Sequence, residues 1–510
     1  MRLAVLLMVF MAPPMLAGCI GGGDDALEFA NANGAFLPRS SYLQFGGDAA
    51  RTGSVKTPGP SQFDIVLHVE LPGIPASDAP PLFVDGAAYV LLSQYRAVGV
   101  SYAPPPDGTA EGLYRVDLED GRADPVIELT DSPTTMASDG ERFYVAEAGR
   151  LAAYAIDGTE LWSWPFPNRF PDAFEVTLVN ECVPPAIRDG RLYLACTQFA
   201  WYVDPDPSDL GQVRARAAFA VMLDLGDEAG PNREAWTWPP PDRGATLATT
   251  ASGAPCVIPG MGERVSSVAV LGDKVLLTLA ENPQDSARFM APQYTINALG
   301  ADDGVPAWVL CTEQTLVEFI DSSLGGDFSW VAPSLTGTSE TAYVLHEDLW
   351  VVDLADGTIG QEIAVGSKPI HGPSPDNRVQ GTWTETTGLA LHDGLLFGQA
   401  YGDAFRIDLD YASVVWRMDV TNPIKGWGPA QPLVDDRSLF VAYPYVVAAF
   451  DAEDGGLRWR YDLDYHAYPT IGIADGFLAL ALDDATLTII GEVGNGGGPS
   501  GNGSLASSQA

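Results

Sequence analysis

Five histidines, five cysteines and 67 carboxylates are the groups in this 510-residue chain that could hold a metal or attack a substrate. His68, His346, His371, His392 and His466 are scattered, and each reads as a strand-surface or loop residue rather than a ligand. There is no G-x-S-x-G elbow, no P-loop and no H-E-x-x-H, so no nucleophile or zinc-hydrolase motif stands out. Asp204-Pro205-Asp206-Pro207-Ser208-Asp209 concentrates carboxylates of the kind that hold Ca²⁺. No glycine turn or distal Glu completes an EF-hand-like loop there, and a proline-stiffened, solvated loop is expected instead. The cysteines after the first, Cys182, Cys196, Cys256 and Cys311, lack C-x-x-C spacing and nearby histidines, which argues against a metal site. Their even number favours two disulfides, with three possible pairings. Cys182 and Cys196 flank a tight hairpin, Ala186-Ile187-Arg188 turning at Asp189-Gly190 into Leu192-Tyr193-Leu194, so this pair is the first expectation. No catalytic residue and no cofactor is expected from the residues themselves.

The composition says what must position such groups. With 46% hydrophobic residues, 54 Gly and 40 Pro, the chain reads as a large globular protein of many short strands. The formal charge of −40 and the lack of any Lys/Arg cluster exclude a nucleic-acid partner.

One unit recurs along the chain. A short apolar strand ends in a two-residue turn, a second strand follows, a third ends in Asp, and a glycine turn leads to a fourth that often carries Trp. The clearest copy runs Pro432–Asp436, Leu439–Ala442, Ala448–Asp451, a turn at Asp454-Gly455-Gly456, then Leu457–Arg460. Other copies align by their first turns at Asp85-Gly86, Asp139-Gly140, Asp189-Gly190, Gly272-Asp273, Thr338-Ser339, Asp393-Gly394 and Asp475-Gly476, which makes eight. An Asp-Gly hairpin favours positive φ at both central residues. Trp162, Trp236, Trp308, Trp416 and Trp459 close five copies and read as fillers between sheets, while the copies near Pro125 and Gln361 lack the ring. One such sheet cannot bury both faces, so the units must pack around an axis. The last copy stops after Ala485–Gly491, before its fourth strand, and Ile65–Leu71 matches Leu457–Leu463 position by position. The expected fold is therefore all-β: an eight-bladed β-propeller of four-stranded antiparallel blades, its ring closed by an N-terminal strand that completes the last blade.

These pieces resemble the PQQ-like (pyrroloquinoline quinone-like) β-propeller repeat family. Its signature Ala-x-Asp-x-x-x-Gly-x-x-x-Trp is matched by Ala449, Asp451, Gly455 and Trp459, and by Ala298, Gly304 and Trp308 with Gly300 in place of Asp. Gln44–Asp48 with Arg51-Thr52-Gly53 resembles the family's lead-in. The resemblance covers residues 42–491 and implies two kinds of function. Quinoprotein dehydrogenases hold PQQ and Ca²⁺ near the axis and oxidise alcohols or sugars. Non-enzymatic scaffolds, among them the lipoprotein of the outer-membrane β-barrel assembly machine, bind proteins. Many alcohol-oxidising members stack the quinone on a vicinal Cys-Cys pair, which this chain lacks. The scaffold is therefore the expected kind, with the PQQ- and Ca²⁺-dependent dehydrogenase as the alternative.

At the N-terminus, Met1-Arg2, the apolar run Leu3–Phe10 and Leu16-Ala17-Gly18-Cys19 read as an export signal. The Leu-Ala-Gly-Cys order resembles a bacterial lipobox and implies a signal peptide over 1–18, acylation of Cys19 and an outer-membrane lipoprotein facing the periplasm or cell surface. A flexible tether is expected over 19–41, and a disordered Gly/Ser/Asn-rich tail over 492–510. Long links between second and third strands (Gln94–Glu111, Gln198–Arg216, Glu281–Pro292) and between blades (Pro167–Val183, Pro239–Ser266, Cys311–Trp330, Gly366–Thr386) are expected to fall on one side of the disc. They carry Tyr95, Tyr102, Trp201, Tyr202, Phe289, Trp330 and Trp383, which form either the binding face of a monomer for a protein or glycan partner or a cap of aromatics packed on one another over the central channel.

Overall fold

The structure is a computed structural model. It describes residues 42–76, 79–93, 110–129, 133–170, 176–202, 213–226, 234–239, 246–249, 255–258, 263–281, 293–311, 334–345, 348–365, 388–400, 402–420, 431–443, 446–463, 470–482 and 484–491. Among these, every regular element is a strand, and no helix is long and apolar enough to cross a membrane. Eight antiparallel sheets form the blades of a propeller, the first seven running from an inner to an outer strand in chain order. In the eighth, Ile65–Glu70 lies against Thr486–Gly491, pairing Val69 with Leu487 and Glu70 with Thr486. The ring thus closes with the N-terminal strand, as the sequence match required.

Inner and middle strands are apolar on both faces because each blade is covered by its two neighbours. All six residues of Ala87–Leu92 and all six of Ser438–Tyr443 are buried, whereas the outer strand Glu160–Pro165 alternates with solvent. The tryptophans do more than fill space. A Cβ on Gly304 would lie 2.6 Å from Trp236 of the preceding blade; Gly357 stands in the same relation to Trp308, and Gly455 to Trp416, at 2.7 Å. Each glycine has a positive φ of 64°, 77° or 76°, which L side chains other than Asn and Asp rarely adopt. The indole N–H of Trp236 donates to Ala301 O at 3.0 Å, and that of Trp308 to Leu354 O at 2.9 Å. The signature Asp folds the turn beneath the ring: Asp451 Oδ1 accepts from Glu453 N at 2.9 Å, and Gly455 N donates to Asp451 O at 2.9 Å. Where the ring is missing, smaller groups meet the glycine, Val126 at Gly158 and Leu67 at Gly121. Blade eight has no such turn, because its outer strand comes from the other end of the chain. There Pro60 O accepts from Trp459 Nε1 at 3.0 Å, and Phe63 stacks on Tyr461 with centroids 4.9 Å apart.

The residues before that closing strand trace a path across all eight inner strands in order. Tyr42 N donates to Phe83 O in blade one, and Ser138 N of blade two donates to Leu43 O. Gln44 Oε1 accepts from Ile187 N in blade three. Val270 N donates to Ala49 O, Thr336 Oγ1 to Ala50 O, Leu391 N to Thr52 O, Val434 N to Gly53 O and Gly476 N to Pro58 O. The lead-in therefore caps the ends of the inner strands on the side where first and second strands are joined. Those joins span two or three residues throughout.

The hairpins themselves divide. Asp85-Gly86, Asp189-Gly190, Asp393-Gly394 and Asp475-Gly476 have positive φ at both residues. At Asp139-Gly140 and Gly272-Asp273 only the glycine does, and Asp435-Asp436 has neither. There Asp435 Oδ1 bonds Arg437 N and Ser438 N instead, so a wider turn is held by the side chain.

Candidate functional site

Connections of the other two kinds, second to third strand and blade to blade, leave the disc on the opposite face. In the third blade the structure departs from the expected loops. Gln198–Arg216 was expected as a long link carrying Trp201 and Tyr202; the strands instead run Arg191–Tyr202 and Val213–Asp224, 12 residues each. Trp201 and Tyr202 thus lie on a strand, because Ala200 pairs with Ala215 and Trp201 with Val213 and the ladder continues past the disc. The blade-to-blade link expected over Pro239–Ser266 contains a second hairpin, Thr246–Thr249 paired with Pro255–Ile258, before the next inner strand begins at Glu263. Likewise Val176–Cys182 is a strand within the expected link Pro167–Val183. Tyr95, Tyr102, Phe289, Trp330, Trp383, the acidic run Asp204–Asp209 and Cys19, where acylation is expected, lie outside the described residues.

The long hairpin stands on a braced root. Its inner partner is interrupted at Pro184-Pro185, with Val176–Cys182 and Ala186–Arg188 both pairing with the strand Arg191–Tyr202. Cys182 opposes Cys196 in that register, and the expected disulfide joins them. Cys311 is also disulfide-bonded. Beside the disulfide, Gln198 Nε2 donates to Asn180 Oδ1 at 2.9 Å and to Pro167 O at 3.0 Å, while its Oε1 accepts from Arg169 N at 2.7 Å. Asn180 Nδ2 reaches back to Ala148 O of the second blade, and Arg169 Nη1 reaches forward to Pro239 O. Burial lowers the Arg169 pKa. This polar mesh joins the blade-two turn, the inter-blade link and the hairpin root into one support.

The outer strand Glu234–Trp238 pairs only with Ala220–Leu223. Among the described strands, Val213–Arg216 is therefore paired on one side alone, whereas Ala217–Phe219, also without a second described strand, are buried. A projecting strand with one open edge presents backbone donors and acceptors that another strand can take up.

On the trimmed face, the lead-in closes the axis around Arg51. Its Nε donates to Val268 O at 3.0 Å, its Nη1 to Phe45 O and its Nη2 to Pro184 O, and the guanidinium carbon sits 5.5 Å from the Phe45 ring centroid. Burial lowers its pKa to about 10. Asp48 accepts from Thr52 N at 3.0 Å and Thr52 Oγ1 at 2.7 Å, fixing the loop that delivers this arginine.

His392, expected to be an isolated surface residue, is not isolated. Its Nδ1 lies 2.7 Å from Ser54 Oγ, and its Nε2 lies 3.0 Å from Asp436 Oδ1 and 3.9 Å from Asp393 Oδ2. Ser, His and Asp in a hydrogen-bonded series are the residue types of a nucleophile set, but an orienting carboxylate needs a dry, fixed setting and Asp436 is 86% exposed. The grouping leaves only a positional trace in the sequence: His392-Asp393 and Asp435-Asp436 occupy the same turn in consecutive copies, and the packing of adjacent blades is what makes them neighbours.

A PQQ site built on a disulfide ring finds no matching residues here. Cys182 is bonded to Cys196, fourteen positions away on a neighbouring strand, instead of to a vicinal cysteine.

Comparison with known proteins agrees with the repeat reading. Residues 400–490 match the family model described as outer membrane protein assembly factor BamB, of the PQQ-like repeat type. No curated protein matches the chain in sequence. Among solved structures, the quinohemoprotein alcohol dehydrogenase of Comamonas testosteroni shares the fold with a TM-score of 0.51 and 12% identity, covering 94% of this chain and 84% of that one. BamB of Moraxella catarrhalis gives a TM-score of 0.44 and 13% identity over 84% of this chain and 98% of that one. At such identity the likeness to the dehydrogenase speaks of fold alone.

Proposed function

We propose, from the eight-bladed fold and the match of residues 400–490 to a PQQ-like repeat model, that the chain is a non-enzymatic scaffold of the bacterial cell envelope, lipid-anchored through Cys19, whose elaborated face binds a protein partner. The observation that carries this reading is the third-blade hairpin, a pair of 12-residue strands in which Val213–Arg216 is paired on one edge alone among the described strands. A partner strand added there gains main-chain hydrogen bonds without reorganising the scaffold. The disulfide and the Gln198–Asn180–Arg169 mesh hold the hairpin root in place beforehand, which limits the ordering cost of association. The match to a family described as an assembly factor supports a protein rather than a small molecule as the occupant.

The edge can be tested with proline, which removes one backbone donor. Alternate N–H groups of an edge strand point to opposite sides, so Ala215→Pro and Arg216→Pro differ in which side they disrupt. One variant breaks the pairing with Arg191–Tyr202 and lowers the melting temperature. The other keeps the melting temperature and weakens capture of the envelope partner by about tenfold, or about 1.4 kcal/mol. Wild-type capture by the stable variant would overturn the proposal.

A further inference from the structure

We infer that His392, Asp393 and Asp436 form a binding site for a divalent metal ion of the zinc class on the trimmed face, between the sixth and seventh blades. The nitrogen and the two carboxylate oxygens all lie within 4.8 Å of one another. Ligands held at about 2.0 Å around a tetrahedral ion sit about 3.3 Å apart, and the distances from His392 Nε2, 3.0 Å to Asp436 and 3.9 Å to Asp393, bracket that spacing. The imidazole is 11% exposed and its ring is fixed from behind by the Ser54 hydroxyl at 2.7 Å on Nδ1, so Nε2 faces the two carboxylates. A histidine ligand held by a hydrogen bond on its other nitrogen is the usual support of a metal centre.

Charge decides between occupants. A proton on Nε2 answers one carboxylate, while a divalent ion answers both. Asp393 and Asp436 are each 86% exposed, so neither has to leave a buried partner to bind. The chain's net charge of −40 raises the local concentration of cations at such a point. One nitrogen and two carboxylate oxygens favour Zn²⁺ or its transition-metal neighbours over Ca²⁺, which selects sites of oxygen alone. In the bound state Nε2 offers its lone pair to the ion, Nδ1 carries the ring proton and donates it to Ser54 Oγ, and water completes the coordination. Cys182, Cys196 and Cys311 are in disulfides and offer no competing thiolate.

Metal-free full-length protein titrated with Zn²⁺ in a calorimeter should show one equivalent bound above the weak background of surface carboxylates. His392→Gln and Asp436→Asn should each remove this tight equivalent, and Ser54→Ala should weaken it by about tenfold through loss of the ring's support. Asp436→Asn changes an exposed group, so its metal-free melting temperature should match wild type and keep the test valid even if His392→Gln unfolds. Co²⁺ in place of Zn²⁺ should give a visible absorption band in wild type that Asp436→Asn lacks. Superimposable Zn²⁺ isotherms for wild type and Asp436→Asn, or a Co²⁺ band of equal strength in both, would overturn the site.

Discussion

Arg51 shows how one side chain can serve several blades. It is 4% exposed, sits at a φ of 55°, and gives its N–H groups to carbonyls of blade four, blade three and the lead-in itself. The bond to Val268 O is buried and the other two are part-buried, so replacing the guanidinium leaves acceptors without donors. Arg51→Met should lower stability by about 3 kcal/mol, read as the shift of the urea midpoint at unchanged slope. Arg51→Lys should restore little of this, because a single ammonium cannot reach three carbonyls of fixed direction. An unchanged midpoint for Arg51→Met would mean the lead-in is held by backbone contacts alone. At this scale the sequence is legible where both partners lie in one repeat, as with Cys182 and Cys196 across a single hairpin. It is opaque where the partners come from two repeats. Neither Ser54, nor the turn at His392, nor Asp436 signals anything by itself, and only the packing of adjacent blades makes them neighbours.

The blade is a tongue-and-groove element, tryptophan on one outer strand and glycine in the next blade's turn. Gly304 carries the constraint in two ways, a φ of 64° and the Trp236 ring 2.6 Å from where a Cβ would stand. Gly304→Val should cost about 3 kcal/mol, from overpacking together with the left-handed backbone. In a Trp236→Leu background, which frees the groove, the same change should cost clearly less, and a double-mutant cycle measures that coupling. Equal costs in both backgrounds would show that backbone strain alone is responsible. Strand positions in ordinary blades were legible because short apolar segments end at two-residue turns, most of them Asp-Gly. The third blade was not, for an identifiable reason. Gln198–Tyr202 runs directly into Asp204-Pro205-Asp206-Pro207, and the hairpin Thr246–Ile258 follows Pro239-Pro240-Pro241, so turn-forming residues mask strands that a paired neighbour stabilises.

The whole molecule is two-sided. On one face the lead-in crosses every inner strand, Arg51 fills the axis and the hairpins are short. On the other, a braced hairpin extends past the outer strand Glu234–Trp238 with one edge unpaired among the described strands. Ring closure by Ile65–Glu70 explains why the lead-in precedes it: the chain must lay its seal around the axis before it completes the eighth blade. This two-sidedness predicts where a partner touches. A photo-crosslinking residue placed at Ala215, on the open edge, and another at Gly394, on the trimmed face, can be compared in intact cells at equal protein level. The account predicts a discrete crosslinked protein from position 215 and none of the same mass from position 394. Capture of that protein from position 394 with nothing from position 215 would contradict it.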